Sequence, residues 1–571
     1  MSCNNSSSAV KQQLESVAGV SHVNVNISEG SVTIYFVETS TELEAIQQLA
    51  SDFGYLGLSQ LIPHHQFDHK LSTNQPNISA NTSENFTFTK NNLATKTEDF
   101  KLTDITQQIT ELLKRLFSSL DSSINLRLWN GETLQLGNSN HDLAHNNFTL
   151  VCRSSNAIKA MVLGRDPLRF AEAYFRNDID IEGDFFAALK LKDHLHSIRM
   201  NMLDKVGSMF SAFRLPFLPE LNHAQNTTAN FSNIDANNDR NLHANHVKMH
   251  SKTENQQASA FHHDISNDFY TLWLGESMIY SCAYFEHADD TLAQAQEAKL
   301  DHICNKLQLK PGERLLDIGC GWGALVMHAA RYYGVTAHGI TLSERQFAFA
   351  KQRIFDAGLQ DKVTILLRDY RDLAGECIYD KISSIGMFEH IGLKNLPVYF
   401  STVNRLLKPT GIFLSHGITH FNEGWNKTLS TEFINRYVFP DGQLDTISNI
   451  QKHMETAKFE IADVEALRRH YALTLRHWVT NLEARHEEAL QYVDEATYRI
   501  WRLYMAACAL EFESGEIGVY QVLATKISNG ASVIPLTRQY MYPPEANAAD
   551  VMADQSALID YVMHTPESVK A

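Results

Sequence analysis

The sequence lacks several features that would place it in common classes of protein. Its seven cysteines form no C-x-x-C pair, so reduced thiols are expected and a disulfide framework is not. No run of about 18 apolar residues occurs, and the first 20 residues lack the apolar core of a secretion signal. Positive charge is scarce: 49 Lys and Arg against 66 Asp and Glu give a net charge of −17. This balance argues against a protein that binds nucleic acid through a general basic field.

What the sequence does contain is an apolar stretch that ends in closely spaced glycines. Residues 315–318 predict a strand, Gly319, Gly321 and Gly323 a tight turn, and residues 324–332 a helix. Glycines let a backbone approach a ligand closely, and a helix start offers free N–H groups to it. The spacing is not that of the dinucleotide fingerprint, and His338 to Thr341 occupy the place where an NAD-binding acidic residue is expected.

Two polar stretches divide the chain into three parts. Residues 66–103 are rich in Asn, Ser and Thr, and residues 221–260 in Asn and His. Both are expected to be linkers, because neither can bury enough apolar surface to offset its ordering entropy. The spacing of the histidines in the second stretch fits no compact metal site, and no metal is expected there; they are His223, His243, His246 and His250. Residues 546–571 are expected to form a C-terminal tail.

Residues 1–65 show helix and strand patterns in the order of a small α+β module. Val23 to Ile27 and Val32 to Phe36 alternate as strands of a hairpin, with a helical pattern on either side. The stretch resembles a heavy-metal-associated domain of ferredoxin-like fold. That family's M-x-C-x-x-C loop stands here as Met1-Ser2-Cys3-Asn4-Asn5-Ser6, without the second thiolate that tight Cu(I) binding needs. A degenerate structural module is therefore expected rather than a metal carrier.

Residues 104–220 predict a second small α+β domain. Leu126 and Leu128 face Leu134 and Leu136 across the turn Asn130-Gly131, and a helix follows Gly164-Arg165-Asp166-Pro167. Further on, basic residues alternate with Leu, Met and Phe; the basic ones are Lys190, Lys192, Arg199, Lys205 and Arg214. This run either lies on an anionic membrane surface or packs on its own domain, and the pattern favours neither.

Residues 261–545 alternate strands and helices, which indicates an α/β domain with a mostly parallel sheet. The predicted strands are 314–318, 335–340, 363–367, 381–386 and 411–416. In such a sheet, ligands bind outside the carboxyl ends of the strands.

Several segments of this domain follow one another in a characteristic order. They are residues 263–270, 280–285, the glycine turn, 339–346, 386–392 (Gly-Met-Phe-Glu-His-Ile-Gly), 437–442 and Tyr471. In order and spacing they resemble the cyclopropane-fatty-acyl-phospholipid synthases and mycolic acid cyclopropane synthases. The resemblance covers residues 261–530, and residues 104–220 resemble the smaller N-terminal domain of the phospholipid-acting members. It implies a Rossmann-like class I methyltransferase domain that uses S-adenosylmethionine.

The resemblance also implies a reaction and its base. The π bond of an unsaturated acyl chain takes the sulfonium methyl group, a carbocation forms, the transferred methyl loses a proton and a ring closes. In this family the base is a bound bicarbonate ion. The residues that match its ligands, and hence the catalytic candidates, are Cys282, Glu389, His416 and Tyr471, with the backbone of Ile418.

Other positions match the family's contacts with the methyl donor. They are Tyr280, Ser281, Asp317, Gly319, Gly321, Gly323, Thr341, Gln346 and Tyr370. His263 stands where many members have Tyr. Four aromatic residues are candidates for stabilising a cation or for simple core packing: Phe388, Tyr437, Phe439 and Tyr520.

The predicted function is therefore a cyclopropane synthase acting on unsaturated acyl chains of membrane phospholipids, located in the cytoplasm and bound peripherally to the inner face of the membrane. A same-family methyltransferase with a branched or methylene product is an alternative, because both diverge after the same cation. A lipid-binding protein without catalysis is a third, disfavoured by the complete candidate set. Nucleic acid is not an expected partner, and a homodimer is left open.

Overall fold

The computed structural model describes part of the chain, and structural statements below refer to that part. The described residues are 20–26, 31–37, 83–89, 110–117 with gaps, 123–137, 147–154, 167–194, 265–423, 433–438 with gaps, 442–530 and 533–542. Residues 1–107 and 108–571 form two separate compact units.

The first unit contains a three-stranded antiparallel sheet. Strands β1 (Val20–Asn26) and β2 (Ser31–Val37) form the predicted hairpin, and β3 (Ser83–Thr89) pairs with the other edge of β2. Strand β3 lies inside the stretch 66–103 that was expected to be a linker, so that expectation was wrong for these seven residues. The polar composition of these residues concealed an alternation of apolar and polar side chains, in which Phe86 and Phe88 alternate with Asn and Thr.

The second unit begins with a four-stranded sheet in the order β5-β4-β6-β7. Its strands are β4 (Ser123–Arg127), β5 (Thr133–Gly137), β6 (Phe148–Cys152) and β7 (Ile179–Gly183). The predicted hairpin is confirmed, with Leu126 opposite Leu134 and Gly131 in the left-handed region at φ 87°. Helix α1 (Pro167–Phe175) starts at the predicted proline, and α2 (Phe185–His194) follows β7.

The same unit contains a seven-stranded sheet in the order β10-β9-β8-β11-β12-β14-β13. The strands are β8 (Arg314–Ile318), β9 (Thr336–Thr341), β10 (Val363–Leu367), β11 (Tyr379–Ile385), β12 (Leu407–His420), β13 (Phe459–Ala466) and β14 (Ile517–Lys526). Strands β8 to β12 pair in parallel, and β14 is antiparallel to both of its neighbours. This is the predicted Rossmann-like class I methyltransferase fold, and all five predicted strands are present.

Helices cover both faces of this sheet. They are α3 (Asn267–Leu274), α4 (Leu292–Lys306), α5 (Ala324–Tyr332), α6 (Glu344–Asp356), α7 (Leu396–Leu406), α8 (Ile447–Thr456), α9 (Arg468–Ala484), α10 (His486–Ala489) and α11 (Glu495–Ser514). One buried cluster lies between the sheet and helices α4, α5 and α6, and another between the sheet and helices α7 and α8. Burial of these clusters is the main source of stability of the fold.

The four-stranded region packs directly on helix α11. The Arg499 guanidinium donates to the Tyr174 and Ile179 carbonyls at 3.2 and 3.4 Å and is 3.3 Å from Asp180. Arg502 lies 3.8 Å above the ring of Phe185. The smaller predicted domain and the methyltransferase domain therefore share one compact unit. In the described part of the chain, no helix is long and apolar enough to cross a membrane.

Candidate active site

The glycine turn after β8 is built as the sequence predicts, with one exception. Gly319, Gly321 and Gly323 have φ angles of 83°, 54° and 84°, which side chains disfavour. A Cβ on Gly321 would meet no atom within 4 Å, since this residue faces a cavity. Gly323 instead faces helix α6, where its Cβ would lie 3.3 Å from Cβ of Ala350. Gly323 therefore permits close packing of α5 on α6 and does not line the cavity.

The cavity has a volume of about 310 Å³ and lies at the carboxyl ends of the parallel strands. Thirteen of the fourteen residues predicted for the site line it: Tyr280, Ser281, Cys282, Asp317, Gly319, Gly321, Thr341, Gln346, Tyr370, Glu389, His416, Ile418 and Tyr471. They come from separate strand ends and from the segments after α3 and at the start of α9. The fold thus brings together residues that are up to 191 positions apart in the sequence.

The donor side of the cavity carries a network of hydrogen bonds. Asp317 lies next to the carboxyl end of β8, and its Oδ1 accepts a hydrogen bond of 2.7 Å from the Ser383 hydroxyl. Burial raises the pKa of Asp317 to about 6. After the next strand, the Thr341 hydroxyl donates to Gln346 Oε1 at 2.8 Å. These contacts orient the polar groups that border the glycine turn.

The segment that carries Tyr280 and Ser281 is held by an aromatic cluster. The Tyr280 ring lies 5.3 Å from those of Trp273 and Trp478. The Trp322 indole N–H of the glycine turn donates to Asn267 Oδ1 at 2.8 Å, which ties the turn to the start of α3. The segment and the turn are thereby held together, and both border the cavity.

Glu389 lies at the centre of the catalytic candidates. Its Oε1 accepts a hydrogen bond of 3.3 Å from the Ile418 N–H, whereas its buried Oε2 has no hydrogen-bond partner among the described residues. Burial raises the pKa of Glu389 from 4.5 to about 7. The carboxyl group is therefore able to hold or release a proton near neutral pH.

The other three candidates are neutral around neutral pH. Burial, together with the charges of Lys299 and Lys306, lowers the pKa of His416 to about 3. Burial raises the pKa of the Cys282 thiol and of the Tyr471 phenol well above their ordinary values. A phenol and a neutral imidazole can each donate one hydrogen bond, whereas the Cys282 thiol already donates to the Ala283 carbonyl at 3.2 Å. The group as a whole can therefore bind an anion without adding negative charge of its own.

His416 is oriented by a residue that sequence analysis missed. Gln521 is fully buried on β14, and its Nε2 lies 3.3 Å from His416 Nδ1. An amide nitrogen only donates, so Nδ1 accepts and the ring hydrogen remains on Nε2. Gly417 was missed as well: a Cβ there would lie 2.3 Å from the Phe388 ring and 2.8 Å from Glu389 Oε2. Glycine at this position lets the carboxylate lie against β12.

Further lining residues come from the buried faces of helices α11 and α4. Tyr504, Cys508 and Phe512 line the cavity from α11 at a spacing of four residues, a pattern that the sequence could have indicated. Lys299 lines it from α4 and is only 1% exposed. It lies on the same helix face as Ile303 and Lys306, and sequence analysis missed it because lysine is rarely buried.

The aromatic candidates have other positions. Among those described, Phe388 packs in the buried cluster beside α7, and Tyr437 donates to Glu172 Oε1 at 3.1 Å. These two and Tyr520 do not line the cavity, so the described aromatic walls are instead Tyr280, Trp322, Tyr370, Tyr471, Tyr504 and Phe512. Phe439, His263, Cys3 and the four histidines of the second linker lie outside the described residues.

Comparison with known proteins assigns the family. The family model described as "Mycolic acid cyclopropane synthetase" matches residues 250–522, and the "Heavy-metal-associated domain" model matches residues 1–55. A "Probable fatty acid methyltransferase" of Pseudomonas putida is 46% identical over 52% of this chain and 76% of its own length. The chain belongs to the mycolic acid cyclopropane synthetase family. It is an S-adenosylmethionine-dependent methyltransferase.

Two further relatives have related names. The "Cyclopropane-fatty-acyl-phospholipid synthase" of Escherichia coli (strain K12) is 42% identical, over 48% of this chain and 69% of its own length. The solved structure of the cyclopropane synthase MmaA2 from Mycobacterium tuberculosis is 35% identical, with a TM-score of 0.46 over 48% of this chain and 99% of that one. Both matches cover about half of this chain.

Proposed function

We propose that this methyltransferase converts cis double bonds in the unsaturated acyl chains of membrane phospholipids into cyclopropane rings, with bicarbonate as the base. One observation carries the proposal. The cavity joins the glycine turn, where a methyl donor would bind, to the buried Glu389 and its neutral neighbours. Methyl transfer and proton removal would then take place in one enclosed space.

The reaction places two demands on the chain. The π electrons form a bond to the sulfonium methyl carbon as its C–S bond breaks, and S-adenosylhomocysteine leaves. The resulting cation loses a proton from the transferred methyl group, and that C–H electron pair closes the ring. The walls must therefore exclude water, which would trap the cation. The described walls suit this, since Tyr471 packs on Phe512 with ring centres 4.7 Å apart.

Bicarbonate, when bound, supplies the base that takes this proton. The candidate residues fit such an anion, because Glu389 Oε2 is buried and unpaired while the surrounding thiol, phenol and imidazole are neutral. A protonated Glu389 would donate to the anion, and the Ile418 N–H holds the carboxyl group through Oε1. An ionised Glu389 would instead repel the anion. We propose Cys282, Glu389, His416, Ile418 and Tyr471 as the bicarbonate site.

The donor would occupy the other part of the cavity. We propose that Gly319 and Gly321 border its methionine and sugar groups, with Tyr280 and Ser281 opposite them. Thr341 and Gln346 are placed for polar contacts, and Tyr370 for contact with the adenine. Asp317 orders the turn through its bond to Ser383.

A second candidate function is methyl transfer without ring closure. The observation in its favour is that the relatives at 46% and 43% identity are both named "Probable fatty acid methyltransferase". In the same cation a hydride would shift from the methyl-bearing carbon to the cationic carbon, and loss of a proton from the transferred methyl group would then leave a methylene branch.

Mass spectrometry and NMR of lipids from cells that express the chain test both functions. Cyclopropanation adds the mass of one CH₂ group, gives ring-proton resonances and leaves a product that resists mild hydrogenation. A methylene branch adds the same mass but takes up hydrogen. If the lipids are unchanged in cells that contain folded wild-type protein and unsaturated phospholipid, both proposals are contradicted. A Glu389→Gln variant is the matched control for background synthase activity.

The substrate acyl chain lies inside a bilayer, so the enzyme must reach it from the membrane surface. We propose peripheral binding to the anionic inner face of the cytoplasmic membrane through the basic run that starts at Lys190. Of these residues, Lys190 lies 3.8 Å from Glu513 and is therefore partly engaged by the protein itself. Arg199, Lys205 and Arg214 lie outside the described residues.

A further inference from the structure

Lys299 is a buried cation that forms no ion pair in the described part of the chain. It is 1% exposed on helix α4, and its ammonium group donates a hydrogen bond of 2.9 Å to Ser281 Oγ. Among the described residues no carboxylate forms an ion pair with it. Buried charges are normally paired, because removing an ion from water is energetically costly. Lys299 therefore lacks the carboxylate partner that a buried lysine normally has. A bound anionic ligand would supply it.

The next buried lysine on the same helix shows the ordinary arrangement. Lys306, two turns further on, is 0% exposed and contacts the carboxylates of Glu465 and Asp463. Glu465 in turn accepts from His302 at 2.8 Å. Lys306 is therefore a structural ion pair, whereas Lys299 borders the cavity with an incomplete set of partners. The two lysines form a natural pair for comparison.

The contact with Lys299 also sets the hydrogen-bonding role of the Ser281 hydroxyl group. An ammonium group has hydrogens to donate and nothing to accept, so the Ser281 oxygen is the acceptor in this bond. The Ser281 hydroxyl hydrogen is then left for another acceptor. Because Ser281 and Lys299 both line the cavity, an anion there would receive a hydrogen bond from the first and charge from the second.

Lys299 and Ser281 lie between the two parts of the cavity, since the charge of Lys299 also acts on Cys282 and His416 of the proposed bicarbonate site. Lys299 is close enough to Asp317, which precedes the glycine turn, for each to influence the other's protonation. Asp317 is itself occupied by Ser383. The methyl donor contains one carboxylate, at its methionine end. We propose that Lys299 is a positioning residue that, through Ser281 and its own charge, binds the carboxylate of S-adenosylmethionine.

This inference rests on the proposed donor site, and its test separates the two. Calorimetry would measure the affinity of full-length wild type, Lys299→Met and Lys306→Met for S-adenosylmethionine and for its decarboxylated analogue. Lys299→Met should bind S-adenosylmethionine at least ~30-fold more weakly, the loss typical of a broken buried charge pair. Its affinity for the decarboxylated analogue should change little. Lys306→Met should leave the ratio of the two affinities as in wild type.

The other outcomes are equally definite. If Lys299→Met weakens both ligands equally, the lysine has a general structural role and the inference is wrong. If the ratio is unchanged but bicarbonate no longer stimulates the variant, Lys299 serves the other anion, which also overturns it. Ser281→Ala gives the same comparison if Lys299→Met does not fold. Failure of wild type to bind S-adenosylmethionine would instead contradict the proposed donor site.

Discussion

Replacing Glu389 by Gln should separate catalysis from stability in a pH-dependent way. Glutamine keeps the oxygen that accepts from the Ile418 N–H at 3.3 Å, so the local structure should persist. It cannot exchange a proton with a bound base. Turnover should therefore fall by about 10² or more, while the affinity for S-adenosylmethionine stays near that of wild type. Bicarbonate should stimulate carbonate-depleted wild type and have no such effect on the variant.

The effect on stability follows from the raised pKa. The folded-state pKa of Glu389 is about 7 against an ordinary value of 4.5. Below about pH 4.5 the carboxyl is protonated in both states, and its contribution to stability is fully present. As the pH rises to 7, the unfolded chain releases the proton and the folded chain keeps it, so the wild type loses stability. Each pH unit corresponds to about 1.4 kcal/mol, which gives about 3 kcal/mol in total.

Glutamine does not titrate and escapes this loss. The free energy of unfolding of Glu389→Gln relative to wild type should therefore rise by about 2–3 kcal/mol between pH 5 and pH 8. Denaturant unfolding of both proteins at several pH values, in bicarbonate-free buffer, measures the difference. Glu488→Gln, at an exposed position of α10, is the matched control and should show no such trend. A difference between wild type and Glu389→Gln that does not change with pH would refute the argument that Glu389 is protonated by burial.

Three other changes test other parts of the structure. Gly321→Val should abolish most S-adenosylmethionine binding by calorimetry, because its side chain would occupy donor space and would strain the backbone at φ 54°; wild-type-like affinity would contradict this. A chain that begins at Phe100 should keep its lipid activity, because residues 1–107 form a separate unit. Wild type should bind Cu(I) weakly, because Cys3 supplies the one thiol of that unit. Complete loss of activity in a folded truncation would show that the module has a catalytic or assembly role. Reversing Lys192, Arg199 and Lys205 to Glu should weaken flotation with anionic vesicles, at about 1 kcal/mol per charge, and leave donor affinity unchanged; unchanged flotation would mean that this run packs within its own domain.

The central sheet could be predicted because buried parallel strands are rich in apolar residues, which are visible in the sequence. Residues 314–318 and 363–367 were assigned with their observed bounds, since both are short segments rich in Leu, Ile and Val. Strands β13 and β14 were not assigned. They run antiparallel at the sheet edge, and polar residues such as Glu460 and Asp463 interrupt their apolar pattern.

The site could be predicted residue by residue only where a motif existed. Glu389 and Tyr471 could be matched to a motif, but nothing local in the sequence shows that they meet in one cavity. Lys299 and Gln521 remained hidden for a physical reason. Composition rules place lysine and glutamine in solvent, and only the packing of α4 and β14 against the cavity makes their burial evident. Gly323 matches the motif but faces helix α6, because its spacing fits both a ligand contact and close helix packing.

The charges of the cavity explain why these hidden residues matter. Burial lowers the pKa of His416 to about 3 and raises that of Glu389 to about 7, so the site moves toward neutrality before any ligand binds. Lys299 is the exception, with a pKa that burial lowers only to about 8. Arg368, Asp317 and Asp369 also line the cavity. The charge of Lys299 favours an anionic group beside Ser281, while the protonated Glu389 favours a second anion. Because like charges in a buried site disfavour each other, binding of the second anion should hold the Glu389 proton more tightly. Bicarbonate, the proposed base, would then bind only when Glu389 is already protonated.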